Sequence, residues 1–159
     1  MSQISLVSGQ EYLWWRVKVL CGVILIIGVF DRFLGSNFFS IVPCPLYISQ
    51  IIVTVGVAIN LWHFFILKRV NQNISEPQQL VHKYGLYRYI RHPMYLADAI
   101  YYLGLALIWC SATSFFILLI SYIALAKQSQ EEDKSMAQRF KDQYPEWWMK
   151  TALMIPFLY

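Results

Sequence analysis

The sequence predicts an all-α helical bundle integral to a membrane. About four helices cross it, the last two as a short hairpin, and an amphipathic helix follows near the C-terminus. Two observations carry this. Of the 159 residues, 58% are apolar and 14% charged, against about 45–50% and about 25% in ordinary soluble domains; the mean hydropathy is +0.46. The apolar residues also gather into four runs, with most of the charge between them. Such a composition excludes disorder, collagen-like repeats and a disulfide scaffold, and the length fits a single membrane domain, 1–159.

The runs cover about residues 13–30, 46–67, 94–110 and 112–126. A bilayer core of ~30 Å takes ~20 helical residues. The second run meets that easily, and the first does so if Arg16 and Lys18 extend to the headgroups. The third and fourth are short and read as a hairpin, the third carrying one acid, Asp98. A cleaved signal is not expected, because the charged flank of the first run lies far from the N-terminus and Phe38-Phe39 is no small-residue cleavage site. The nearest thing to a linker is residues 71–79, where Pro77 breaks any helix.

Orientation follows from the basic residues. With a cytoplasmic N-terminus and four crossings, Arg16, Lys18, Lys68, Arg69, Lys83, Arg88, Arg91, Lys127, Lys134, Arg139, Lys141 and Lys150 fall inside, and Arg32 alone outside. Twelve against one predicts both termini in the cytoplasm. The net charge of +4 is therefore read as topology, and no nucleic-acid partner is expected. Cys21, Cys44 and Cys110 each lie in or beside an apolar run without a Cys-x-x-Cys pair, so buried thiols are expected instead of disulfides or zinc ligands. No metal site, P-loop, Gly-x-Gly-x-x-Gly or Gly-x-Ser-x-Gly element occurs.

Chemistry points to the cytoplasmic mouth of the hairpin. Residues 85–95 read Gly-Leu-Tyr-Arg-Tyr-Ile-Arg-His-Pro-Met-Tyr. Tyrosine and arginine are common interfacial anchors, and Pro93 suits a first helical turn. The same residues also suit a ligand site: arginine grips a carboxylate with two donors, and tyrosine faces accept cations. Glu131-Glu132-Asp133 follow the fourth run, and Met136, Ala137, Phe140 and Tyr144 share the apolar face of the amphipathic segment beyond. These acids either meet the dipole of that helix or direct a carboxylate at the arginine-rich loop. Asp98 is a further candidate, because an acid in a span is functional by default. For His63 a polar contact with another helix is expected, and for Trp14-Trp15 and Trp147-Trp148 interfacial anchoring.

Gly85-x-Tyr87-x-x-x-Arg91-His92-Pro93-x-Tyr95, followed about forty residues on by Glu132-Asp133, Met136, Phe140, Tyr144 and Trp147, resembles the isoprenylcysteine carboxyl methyltransferase family. The phospholipid N-methyltransferases share the pattern. The resemblance covers about residues 81–157, the expected methyltransferase core. Three positions depart from the family pattern: Asp133 replaces the second Glu, Lys141 stands where Gly is usual, and Ala97 replaces a common Gly, so Glu131 could serve in a shifted register.

The resemblance implies a membrane methyltransferase that uses S-adenosylmethionine on a lipidic or lipid-tethered acceptor, either an isoprenylcysteine-like carboxylate or a lipid amine. Tyr87, Arg91, His92, Tyr95 and Glu132 are then the cofactor-binding candidates, and Arg91 and Glu132 the catalytic ones. An amine or thiol acceptor also needs a base, from Glu132 or Asp98. On this reading Arg91→Ala and His92→Ala weaken cofactor binding without unfolding the protein. Two alternatives stay open. One is an NADPH-dependent sterol-type reductase, which Asp98 and Ile155-Pro156-Phe157 resemble; the other is a non-catalytic membrane protein.

Overall fold

In a computed structural model of the chain, the described residues are 9–34, 44–70 and 79–154. Phe38-Phe39, most of the 71–79 linker with Pro77, and Ile155-Pro156-Phe157 lie outside them. Five α-helices follow in order: α1 (Gly9–Leu34), α2 (Leu46–Val70), α3 (Pro93–Trp109), α4 (Ala112–Arg139) and α5 (Tyr144–Lys150). A single 3₁₀ turn, Gly85–Arg88, precedes α3. Among the described residues there is no strand, only an isolated parallel bridge between Ile90 and Ala152.

By length and composition α2 and α4 can cross a membrane; α3 is apolar but has 17 residues. The α3–α4 hairpin is set by local chemistry. Pro93 starts α3, where a missing N–H costs nothing. Cys110 ends it in the left-handed region, at φ 49°. Ser111 then caps α4: its hydroxyl accepts from the Ser114 N–H at 3.0 Å, while the Ser114 hydroxyl accepts from the Ser111 N–H at 3.1 Å.

The amphipathic segment is not a separate helix, as the sequence led us to expect. No Gly or Pro interrupts residues 112–139, so α4 runs unbroken for 28 residues and carries Glu131–Asp133 beyond its apolar part. The chain turns only at Phe140, and Pro145 lies in the first turn of α5.

Helix α3 is the central element, with α1, α2 and α4 packed on it. Leu25, Tyr95, Tyr102, Leu105, Ala106, Trp109, Leu118 and Leu125 form the main core between α1, α3 and α4. The α2–α3 contact is the closest. A methyl on Gly56 would lie 2.6 Å from the Tyr101 backbone N and 2.9 Å from the Ala97 carbonyl, so backbone meets backbone there. Ala97 is fully buried in this contact, which fits the smallness of the residue at that position. Gly56→Ala should therefore cost about 1–3 kcal/mol by overpacking, read as a lower unfolding midpoint in detergent. An unchanged midpoint would mean that the two helices sit farther apart.

That close approach also corrects the cysteine expectation. The start of α2 and the end of α3 meet, and Cys44 and Cys110, 66 residues apart in sequence, form a disulfide with Cα atoms 6.1 Å apart. Cys21 alone is a buried free thiol. The disulfide marks one end of the bundle, and Arg91 and His92, ahead of α3, mark the other.

Candidate functional site

The approach to α3 is built on a residue without a side chain. Gly85 has φ +52°, and a methyl there would lie 3.0 Å from Nε2 of His63. That ring nitrogen accepts the Leu86 N–H at 3.1 Å, leaving Nδ1 protonated toward the Ile59 carbonyl at 2.8 Å. Fully buried His63 thus clamps the 3₁₀ turn, and its partner is this turn instead of another helix. From the other side the C-terminal segment runs along residues 89–92. The Arg91 and His92 N–H groups donate to the carbonyls of Ala152 (2.9 Å) and Leu153 (3.0 Å), and the Ala152 N–H donates to Tyr89 (3.0 Å).

Fixed in this way, the doublet meets the acids of α4. The Arg91 Nε–H donates to Oδ2 of Asp133 at 3.0 Å, and Nε2 of His92 bonds Oδ1 at 2.7 Å. Tyr144 donates to the same Oδ1. Glu132 accepts from the Tyr95 hydroxyl and from Gln128 Nε2 at 3.2 Å, and its other oxygen lies 3.6 Å from His92 Nδ1. Glu131 pairs instead with exposed Lys134 at 2.7 Å. Glu132 and Asp133, one position apart from the alternative register, are therefore the acids that meet Arg91, His92 and Tyr95.

Arg91 is 8% exposed and more committed than its motif reveals. Its Nη1 donates to the carbonyls of Trp148 (3.1 Å) and Thr151, at the end of α5. Nη2 makes no hydrogen bond among the described residues. The Tyr144 phenol is pushed up by burial and by its bond to Asp133; the Tyr87 phenol is pushed up by burial and by the charge of Glu132. Both stay protonated and remain donors.

The aromatic residues divide differently from the expectation. Trp147 is buried and donates through its indole N–H to the Tyr87 carbonyl at 2.9 Å, so it is core and not an interfacial anchor. It packs with Leu80, Val81, Tyr87 and Tyr144 in a second cluster that Met136 and Phe140 join. Trp148 is exposed and lies over the Arg91 guanidinium, 5.3 Å from ring centroid to Cζ. Tyr87 is buried against the edge of His63. Tyr95 stacks on His92, with centroids 5.4 Å apart and planes 6° apart, and the Lys18 ammonium stands 4.5 Å from its ring centre. A cleft of about 470 Å³ opens between α4 and α5, lined by Asp133, Lys134, Ala137, Tyr144, Pro145, Trp148 and Met149.

Sequence reasoning missed Tyr144 and Thr151 as partners of the doublet, and it missed a second polar cluster. The Lys18 side chain is 12% exposed and turns toward α3. It pairs with Asp98 at 3.2 Å, and Asn60 donates to the other Asp98 oxygen at 2.6 Å. A cation in one span and an acid in another were the available signal.

No curated protein matches the chain. The family model described as phospholipid methyltransferase matches residues 44–143, more than half of the sequence. That segment holds α2, α3, α4, the arginine–histidine doublet and both site acids, and on this match the chain belongs to the phospholipid methyltransferase family.

Proposed function

We propose that the chain is an S-adenosylmethionine-dependent methyltransferase of the membrane, acting on a lipidic or lipid-tethered acceptor. The observation that carries this is the meeting of Arg91, His92 and Tyr95 with Glu132 and Asp133 beside the α4–α5 cleft. The residues fit the cofactor. Arg91 Nη2 suits an α-carboxylate, Glu132 suits an amino or ribose hydroxyl group, and the Trp148 and Tyr144 walls suit an adenine. Bound there, S-adenosylmethionine supplies a methyl group from its sulfonium to the acceptor's lone pair and leaves as the neutral thioether. The protein's part is alignment, which can contribute ~7–11 kcal/mol in well-oriented reactions. Asp133 and the C-terminal carbonyls fix Arg91, while Tyr95 and Gln128 fix Glu132.

Four crossings with both termini cytoplasmic complete the reading. The charge count supports it, and so does the disulfide: Cys44–Cys110 lies at the end away from the doublet, which this topology turns toward an oxidising compartment. We take residues 1–159 as one membrane domain and 81–157 as its cofactor-handling part, because α1 packs on α3 and α4, and the end of α5 holds Arg91. The test is a thermal-shift comparison of the full chain in detergent with S-adenosylhomocysteine and with NADPH. The homocysteine compound should raise the midpoint and the nucleotide should not. The opposite result would restore the reductase alternative, and no response to either would favour a non-catalytic protein.

A further inference from the structure

A chain of polar contacts crosses the first four helices and ends on Glu132. Asn60 of α2 donates to one oxygen of Asp98 on α3 at 2.6 Å, and Lys18 of α1 donates to the other at 3.2 Å. The Lys18 ammonium also stands 4.5 Å from the centre of the Tyr95 ring. Tyr95 and Asp98 are three positions apart on α3, neighbours on one face, so a single ammonium reaches both. The Tyr95 hydroxyl in turn donates to Glu132 of α4. Gln128 donates to the same oxygen, so these two bonds fix where the second oxygen points, 3.6 Å from His92 Nδ1.

Packing does not call for the cation. Burying an ion pair between helices is costly, and well-packed apolar side chains would join α1 to α3 as firmly. Helix α1 has other anchors: the Lys18 carbonyl accepts from the Tyr102 hydroxyl at 3.1 Å, and Leu25 packs in the main core. What the ammonium touches is a ring whose hydroxyl serves the site. A cation is attracted to the face of a phenol by the ring quadrupole. It draws electron density from the ring, which strengthens the hydroxyl as a donor and restricts the tilt of the ring. Asn60, Tyr95, Asp98 and Glu132 lie within the matched segment 44–143, whereas Lys18 lies before it, on α1.

We propose that Lys18 is a positioning residue for the site: held by Asp98, its ammonium acts through the Tyr95 ring to aim the Glu132 carboxylate. Asn60 completes the anchor by holding the other Asp98 oxygen. His92 stacks on the same Tyr95 ring, so one aromatic side chain sets the imidazole and the carboxylate together. The inference rests on the methyltransferase reading for what Glu132 is aimed at, but the alignment itself is read with no ligand present.

The test uses the full chain in detergent, with glutamate carboxyls isotopically labelled for NMR. Five glutamates give few resonances, and Glu132→Gln identifies the one from Glu132. Lys18→Met should move that resonance toward its position in Tyr95→Phe, and should move it no further once Tyr95→Phe is present. By titration calorimetry, S-adenosylhomocysteine affinity should fall roughly two- to thirtyfold in Lys18→Met, the range of a cation–π contact. The loss should vanish in the Tyr95→Phe background, and Lys18→Arg should keep the parental affinity. Lys18→Met/Asp98→Asn leaves no lone charge behind and carries the same comparison if the single variant does not fold. An equal affinity loss with and without the Tyr95 hydroxyl would overturn the proposal and make Lys18 a tie between helices; so would an unmoved Glu132 resonance. If S-adenosylhomocysteine fails to bind the parent while the resonance still responds to Lys18 through Tyr95, the methyltransferase reading fails and the positioning role stands.

Discussion

Arg91→Ala should lower stability by about 3–5 kcal/mol, the range for removing one partner of a buried charged network. The guanidinium ties three parts of the chain: the loop before α3, Asp133 on α4, and the carbonyls of Trp148 and Thr151 that end α5. Without it the Thr151 carbonyl loses the Arg91 donor, the Trp148 carbonyl keeps only the Thr151 N–H, and Asp133 keeps only His92 and Tyr144. The loss is a large part of a typical 5–15 kcal/mol total. Arg91→Lys should fall between, because an ammonium can meet Asp133 but cannot also fork to two carbonyls. Unfolding in detergent, together with amide exchange at Ala152 and Leu153, reads both effects. A melting curve for Arg91→Ala that overlays the parent's would show that the C-terminal segment is held by its backbone bonds alone. The motif by itself led to the opposite expectation, loss of cofactor binding without unfolding, because sequence spacing cannot show that the arginine is already bonded to a segment 57 to 60 residues away.

That contrast separates what was legible from what was not. Local signals were read well. The apolar runs became α1 to α4, Pro93 opened α3, and the doublet met the acids once α3 and α4 folded back as a hairpin. Features that depend on distant parts of the chain were missed. The Cys44–Cys110 bond needs the glycine-mediated contact of α2 with α3, which no local pattern encodes. Trp147 was read together with its neighbour Trp148 as an anchor, yet consecutive helical residues point about 100° apart, and here one of the pair enters the second core cluster while the other faces outward. The pairing of Lys18 with Asp98 was missed because the two residues lie 80 positions apart. The α4 boundary failed for a simpler reason: the change from apolar to amphipathic composition at residue 127 alters the surroundings of the helix and not its backbone.

Glu132→Gln should leave the fold intact and weaken the proposed cofactor site. The amide keeps the shape of the carboxylate and can still accept from Tyr95 and Gln128, and the Glu132 side chain is 31% exposed, so the stability change should stay under about 1 kcal/mol. What disappears is the negative charge at the one acid of the pair that is not saturated by Arg91, His92 and Tyr144. If that charge holds an amino or hydroxyl group of S-adenosylmethionine, affinity for S-adenosylhomocysteine should fall roughly ten- to hundredfold, the worth of a charge-assisted bond. Asp133→Asn is the contrasting variant. Its carboxylate accepts from Arg91, His92 and Tyr144, so neutralising it should lower the unfolding midpoint as well as affinity. Titration calorimetry beside thermal unfolding distinguishes the two. Unchanged affinity in Glu132→Gln, with the midpoint also unchanged, would remove Glu132 from the site and leave Asp133, on the wall of the α4–α5 cleft, as the acid that faces the ligand.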